Sequence, residues 1–330
     1  MSVSEGTTPP PSYDGQIAFL VYDSRSGSTL LSNEIAKSLP AVAVSPEFEL
    51  NAMFKLSAES LRTMDAAELG SALAPLRNLV NLGVTNDVVA SLANAARGNL
   101  THDALLRMMI GHFLAGEERT DVDVFVIKKG THLRIWEQIT DLIPGAQFVH
   151  IFRDARAVVN SKLSTVRPHY PREVMAWGGP FLAGLRWRYY SQLMHRAAAR
   201  VAVHDVKYED LLDDPGAVVR RLASHLQTDF DPDSATSPYS IPESEQGIHR
   251  LVSGGMDTNR AQAWESEMSS RSIAIVEGLS RSEMLKRGYD VPAPESPPKT
   301  LLAIATSAVE GVARAAFHYP YNRWVDRSKT

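Results

Sequence analysis

The sequence predicts an α/β protein, a single domain whose mostly parallel central sheet is flanked by helices. Three observations lead to this fold class. Short apolar runs rich in strand formers recur at 17–23, 124–128, 148–152 and 201–206. Each is followed by a stretch with helical spacing, so the order is repeatedly strand then helix, and such units pair in parallel. A chain of 330 residues, 44% hydrophobic and 22% charged, carries enough apolar surface for one substantial core.

The elements follow in order. Residues 1–15 are rich in Ser, Thr, Pro and Gly and read as a flexible leader. The first strand, 17–23, ends at a Ser/Gly turn, and Leu30, Leu31, Ile35 and Leu39 then recur at helical spacing behind Ser28 and Thr29, residue types common at helix starts. A-V-A-V at 41–44 is a second short strand, which places Glu47 of S-P-E-F at its exit. From 50 to 120 the composition is mainly helical, broken at Gly70, Gly83 and Gly98, and reads as an insertion that shapes an acceptor site. After the strand at 124–128 a helix over 131–143 stops before Pro144-Gly145. The strand at 148–152 delivers Arg153-Asp154 to a helix at 155–163. The strand at 201–206 leads through Tyr208-Glu209-Asp210 into a helix ending near Leu226. Residues 291–298 form a Pro-rich linker. Beyond it Leu301, Leu302, Ala305, Val309, Val312 and Ala316 make an apolar stripe that fits docking on the protein's own domain or on a second copy, as a homodimer, with a membrane surface as the alternative.

A formal charge of −4 argues against a globally basic nucleic-acid binder but allows a local anion pocket. With no cysteine, disulfides, thiolate catalysis and thiolate metal sites are excluded. No signal-peptide pattern opens the chain and no apolar run reaches membrane-spanning length, so a cytoplasmic location is the default expectation. No metal-ligand cluster is evident.

Residues 24–31, S-R-S-G-S-T-L-L, carry the main chemical signal. A glycine between a buried strand and a helix lets backbone amides approach an anion, and the helix start adds unpaired N–H groups and positive dipole character. Arg25 adds a fixed charge and directional donors, while Ser26, Ser28 and Thr29 add hydroxyls around Gly27. The G-x-x-x-x-G-K-[ST] spacing of nucleotide hydrolases is absent. A solvated turn would explain the loop taken alone. The second signal is F-V-H-I-F-R-D-A-R-A-V-V-N-S, which ends a strand on Arg153 and sets Ser161 about two helical turns further on.

Together R-S-G-S-T-L-L and F-R-D-A-R-A-V-V-N-S resemble the 5′-phosphosulfate loop and the 3′-phosphate segment of the phosphoadenosine-phosphosulfate-dependent sulfotransferase family, of bacterial type. V-K-Y-E-D-L-L-D-D-P at 206–215 and R-A-Q-A-W at 260–264 are similar to two further family segments, in the same order. The resemblance implies a P-loop-like sulfotransferase architecture over 16–290. It implies 3′-phosphoadenosine 5′-phosphosulfate (PAPS) as sulfuryl donor, its product PAP, no metal, and a hydroxyl acceptor that is a small molecule, carbohydrate or lipid. By that resemblance Arg25, Ser26, Gly27, Ser28 and Thr29 cradle the 5′-phosphosulfate, Arg153 and Ser161 hold the 3′-phosphate, Tyr208 lies near adenine, and Arg260 completes the 3′-phosphate pocket. Ser24 stands where relatives often have proline.

Arg25 is the expected leaving-group stabiliser. Glu47 is the leading candidate base, by similarity to bacterial and tyrosylprotein sulfotransferases, and a buried Glu could have its pKa raised for that task. His132, in K-K-G-T-H-L, is its rival by similarity to a K-T-H segment of cytosolic members, although Gly130 interrupts the match. Lys128 or Lys129 could touch the transferring group. Asp23, Glu49, His102, His112 and His169 read as structural or solvated, and Trp177, Phe181, Trp187, Tyr189 and Tyr190 read as core at helical spacing. A nucleotide-dependent phosphotransferase and a non-catalytic PAP-binding protein are the competing functions.

Overall fold

The structure, a computed structural model, describes residues 11–74, 79–95, 100–167, 170–234 and 258–327. Residues 1–10, Gly98 and His169 lie outside the described residues. Five parallel strands form the centre: β1 (Gln16–Tyr22), β2 (Val42–Val44), β3 (Val124–Lys128), β4 (Gln147–Phe152) and β7 (Val203–Lys207), in the order β2-β3-β1-β4-β7. A separate antiparallel ribbon joins β5 (Val166–Arg167) to β6 (Tyr170–Val174). The expected open parallel sheet is therefore present. Continuous apolar sequence in β1 and β3 reflects burial on both faces.

Alternate residues of β1 serve different layers, as a period of two requires. Ala18, Leu20 and Tyr22 pack under α1 (Ser28–Ser38), while Ile17, Phe19 and Val21 face the other side of the sheet. That second side is covered by the helices that follow β2: α2 (Ala58–Thr63), α3 (Ala66–Leu73), α4 (Asn86–Ala95) and α5 (His102–Gly116). Ser57, Asp65 and Thr101 each cap a helix start, and Asp65 with Glu68 completes a capping box. Residues 11–15, at the end of the expected leader, lie against the domain. Tyr13 is buried against Phe125 and its hydroxyl donates to the Gln16 carbonyl.

After β3 the chain does not enter an α-helix at once. A 3₁₀ turn, Gly130–Ile135, comes first, and only then α6 (Trp136–Leu142). After β4 come α7 (Ala155–Ser164) and α8 (Gly179–Ala198), and after β7 come α9 (Tyr208–Asp213) and α10 (Pro215–Leu226), where Asp214 caps the helix and Pro215 occupies its first turn. Two C-terminal helices, α11 (Trp264–Glu267) and α12 (Ser270–Lys286), join α7 and α8 around a third apolar cluster that includes Val158, Trp187 and Val276. Phe181 is half-buried and Tyr189 is exposed, so only Trp187 and Tyr190 of the expected aromatic core are fully enclosed.

The last helix, α13 (Pro297–Arg327), corrects the reading of its stripe. The Pro-rich stretch is anchored by the buried Val291, and the helix docks on its own domain with the face of Ile304, Ser307 and Gly311. Leu301, Leu302, Val309 and Val312 stay exposed. Small residues let the backbones approach: a Cβ on Gly311 would stand 2.8 Å from the Gly178 carbonyl oxygen. Gly311→Leu should thus lower stability by about 1–3 kcal/mol, the usual range for overpacking. Val312→Ser, on the exposed face, should stay within about 0.5 kcal/mol of wild type in urea unfolding.

Candidate functional site

The connections after β1 and β4 leave the sheet in opposite directions, β1 towards β2 and β4 towards β7. In open α/β sheets the crevice beyond the carboxyl ends of two such strands is the usual ligand site. Here it is bounded by Asp23–Thr29 after β1 and by Arg153 after β4.

The first loop turns tightly. The Ser26 N–H donates to the Asp23 carbonyl at 3.2 Å, and Arg25 sits at φ 73°, a left-handed conformation that a non-glycine residue seldom adopts. Gly27 follows at φ 96° as the N-terminal boundary of α1, and no side chain caps that helix. Ser26, Ser28 and Thr29 are buried beneath the loop surface. Gly27 is also sterically required, because a Cβ there would lie 2.2 Å from the ring of Tyr208.

Through Tyr208 the loop meets the second signal. The Arg153 guanidinium lies 4.3 Å from the centre of the Tyr208 ring, and it donates to the Arg260 carbonyl oxygen. Arg156 makes the neighbouring C-terminal connection, stacking 4.0 Å from Trp264 and pairing with Asp154 and Glu277. So Arg153 does not pair with the adjacent Asp154, which instead caps α7 and holds Arg156. Ser161 is reached from the other loop: Arg25 Nε donates to Ser161 Oγ at 2.9 Å. Residues 25, 27, 153, 161, 208 and 260 are thereby brought into one group.

Its electrostatics are lopsided. Burial, then the nearby Arg153 and Arg260 charges, lower the pKa of Arg25, and burial likewise lowers that of Arg153. Enclosing two guanidiniums so close together is costly unless an anion joins them. Glu209, which accepts from the Asp154 N–H and from Tyr289, has its pKa raised by burial.

Glu47 stands at the β2 exit among residues from two other strands. The Tyr22 hydroxyl donates to its Oε1, and Lys129 Nζ approaches Oε2 at 3.0 Å. Burial pushes its pKa up, but Lys129, Lys128 and the Tyr22 hydrogen bond outweigh that and hold the carboxyl below its ordinary value. The expected upward shift is therefore reversed. Fully buried Lys128 turns the other way and donates to Thr29 Oγ1 at 3.1 Å, which ties β3 to the start of α1.

His132 does not join this group. The 3₁₀ turn carries its ring into the core against Phe19 and Phe48, where Nε2 accepts the Leu50 N–H at 3.1 Å. Burial, reinforced by Lys129, lowers its pKa to about 3. The ring nitrogen that would take a proton is already an acceptor inside the protein. His102 and His112 are structural as expected, bonded to the Leu56 and Gly83 carbonyls. Asp23, expected to be structural or solvated, lies at the loop, buried and paired with Lys162 and Arg186. Tyr22, Lys162 and Arg186 were not singled out by sequence. The available signal was position: Asp23 closes a strand, and Lys162 directly follows Ser161 on an otherwise apolar helix face.

These features belong to a recognisable class. The sequence profile of the sulfotransferase family matches residues 19–232, and the chain belongs to that family. Among solved structures it is similar to the sulfotransferase domain of the olefin synthase of Synechococcus PCC 7002, with a TM-score of 0.55 and 20% identity over 86% of this chain and 99% of that one. It is similar also to the sulfotransferase domain from the curacin biosynthetic pathway, with a TM-score of 0.54 and 18% identity over 85% of this chain and 100% of that one. At these identities the likeness is one of fold. No curated protein matches the chain. Among the described residues no helix is long and apolar enough to cross a membrane, and no group of three or more His, Asp or Glu is placed to hold a metal ion.

The placement of His132 has a measurable consequence. Its pKa is about 3 when folded against 6.5 for the ordinary side chain, so the unfolded chain binds the extra proton first. The stability it contributes is complete above pH 6.5 and is lost as the pH falls towards 3, at about 1.4 kcal/mol per pH unit. His132→Gln keeps an acceptor for Leu50 but does not titrate. Between pH 6.5 and pH 5 the wild type should lose about 2 kcal/mol more than this variant in urea unfolding.

Proposed function

We infer that the protein transfers a sulfuryl group from PAPS to a hydroxyl acceptor, a small molecule, carbohydrate or lipid. The observation that carries this reading is the Arg25–Ser161 hydrogen bond. It joins the two segments whose resemblance assigns them to the two ends of one donor molecule, at a crevice where Arg25, Arg153 and Arg260 lie close enough to influence one another. In this reading the uncapped start of α1 and the hydroxyls of Ser26, Ser28 and Thr29 hold the 5′-phosphosulfate around Gly27. Arg153, Ser161 and Arg260 hold the 3′-phosphate, and Tyr208 borders the adenine.

The chemistry needs three things from the protein: alignment, a proton acceptor, and stabilisation of charge on the departing oxygen. An acceptor oxygen forms a bond to sulfur while the bond from sulfur to the phosphate bridge oxygen breaks, which leaves PAP and a sulfate ester. Arg25 and Lys128 are assigned to the charge that collects on the bridge oxygen. Glu47 takes the acceptor proton. Its lowered pKa keeps it ionised at neutral pH, and the acceptor hydroxyl becomes acidic only as its bond to sulfur forms, so a strong base is unnecessary. Asn81 donates to the Glu47 carbonyl oxygen at 3.1 Å, which links the helical segment after β2 to the base and supports that segment as one wall of the acceptor site.

Calorimetry with PAP and with ATP tests the donor. PAP should bind and ATP should bind far more weakly, and failure of PAP to bind would remove this reading in favour of phosphoryl transfer or another ligand. Donor-dependent sulfate transfer separates an enzyme from a non-catalytic binder. Arg25→Ala should lower turnover by about 10²–10³-fold. Glu47→Gln should lower it by about 10²–10⁴-fold while PAP affinity is largely kept. The acid limb of kcat/KM should fall below pH 4.5. Lys129→Met removes the strongest cationic influence on Glu47, so its limb should move to higher pH.

A further inference from the structure

We propose that Asp23 is a positioning residue, whose buried carboxylate clamps the β1–α1 loop to α7 and so fixes the distance between the two ends of the donor site. This rests on the donor reading above. The Asp23 side chain is 4% exposed and both its oxygens are engaged, Oδ2 by Lys162 Nζ and Oδ1 by Arg186 Nε at 2.9 Å. Lys162 is equally enclosed, at 3%. Asp23 and Arg25 flank Ser24 on the loop, and Ser161 and Lys162 are consecutive on α7. Two cross-links therefore span the same gap side by side, Asp23–Lys162 and Arg25–Ser161.

The first cross-link holds the second in place. Arg25 keeps a left-handed backbone only where its surroundings impose one, and its turn closes on the main-chain carbonyl of Asp23, the residue whose side chain Lys162 and Arg186 hold in place. Among the described residues Asp23 is the acid that pairs with this cluster of cations. Arg186 and Arg25 both depress the pKa of Lys162, after burial itself, and only Asp23 opposes them. Without that carboxylate, Lys162, Arg186 and Arg25 repel one another across the gap that the donor has to span. A pair of well-packed apolar side chains would commonly stabilise a fold as well as a buried ion pair does. What an ion pair adds here is a fixed register between Arg25 and Ser161.

The experiment separates register from stability. Asp23→Leu/Lys162→Met replaces the pair by apolar side chains, and Asp23→Glu keeps the charge but lengthens the link by one methylene. For each protein, calorimetry gives the Kd of PAP and of adenosine 5′-phosphate, which lacks the 3′-phosphate, and thermal melting reports the fold. In the wild type PAP should bind much more tightly than adenosine 5′-phosphate. In the double variant the advantage of PAP should shrink at least tenfold, with the adenosine 5′-phosphate Kd within about threefold of wild type and a Tm within a few degrees. If the double variant fails to fold, Asp23→Glu should show the same loss of the PAP advantage. An unchanged ratio in a folded variant would overturn the proposal and leave the pair a structural one. A wild-type protein that binds no PAP would overturn it by a different route, through the donor reading itself.

Discussion

The site depends on one strand being hydrogen-bonded on both edges. β1 pairs in parallel with β3 on one side and β4 on the other, with Leu20 opposite Lys128 and opposite Val149. Parallel pairing forces the carboxyl ends of all five strands to one edge of the sheet. Asp23 and Arg25, Glu47, Lys128 and Lys129, Arg153, and Tyr208 each leave a different strand at that edge. The five groups come from separate stretches of the sequence. The apolar interior of β1 thus does the positioning, because a slip of its register would move every one of these exits relative to the loop.

Elements were legible where the signal was local. A buried strand, a glycine turn and a periodic helix are written in consecutive residues, as is the delivery of Arg153 to the end of β4. What joins those segments was not legible. That Gly27 touches Tyr208, or that Arg25 reaches Ser161, depends on strand order, and no local pattern encodes it. His132 shows the hazard of matching in one dimension. Its segment resembles a catalytic one, but at Gly130 the backbone passes so close to the Tyr22 carbonyl that a Cβ would stand 2.3 Å away, and the 3₁₀ turn that begins there carries the ring into the core. The C-terminal stripe fails for another reason. Periodicity identifies an apolar face but not which face is buried, and here Ser307 and Gly311 permit a closer approach than Leu302 or Val309 would.

Charge accounts for much of what sequence left open. A net charge of −4 gives no hint that Arg25, Lys128, Arg153 and Lys162 are all enclosed near one loop. Such crowding is tolerated because each cation has a local partner that is neutral or acidic: Ser161, Thr29, the Tyr208 ring and Asp23 in turn. Three of these partners are neutral, so they hold the cations in place by hydrogen bonding and ring contact rather than by charge. Asp23 alone cancels charge among those four, and it does so beside the loop rather than within it.

Two carboxylates near the loop each hold a lysine, yet they suit different tasks. Asp23 is 4% exposed and has a cation on each oxygen, so neither oxygen is presented to an incoming molecule. The Glu47 side chain is 23% exposed, and its partners are a neutral hydroxyl and one ammonium group. An acceptor hydroxyl approaching from the helical side could share Oε2 with Lys129, or displace it, without breaking the fold. Displacement would also remove the largest influence that depresses the Glu47 pKa, so the carboxylate would become more basic as the acceptor arrives. Base strength would then be coupled to acceptor binding, which is the reason to assign proton transfer to Glu47 and register to Asp23.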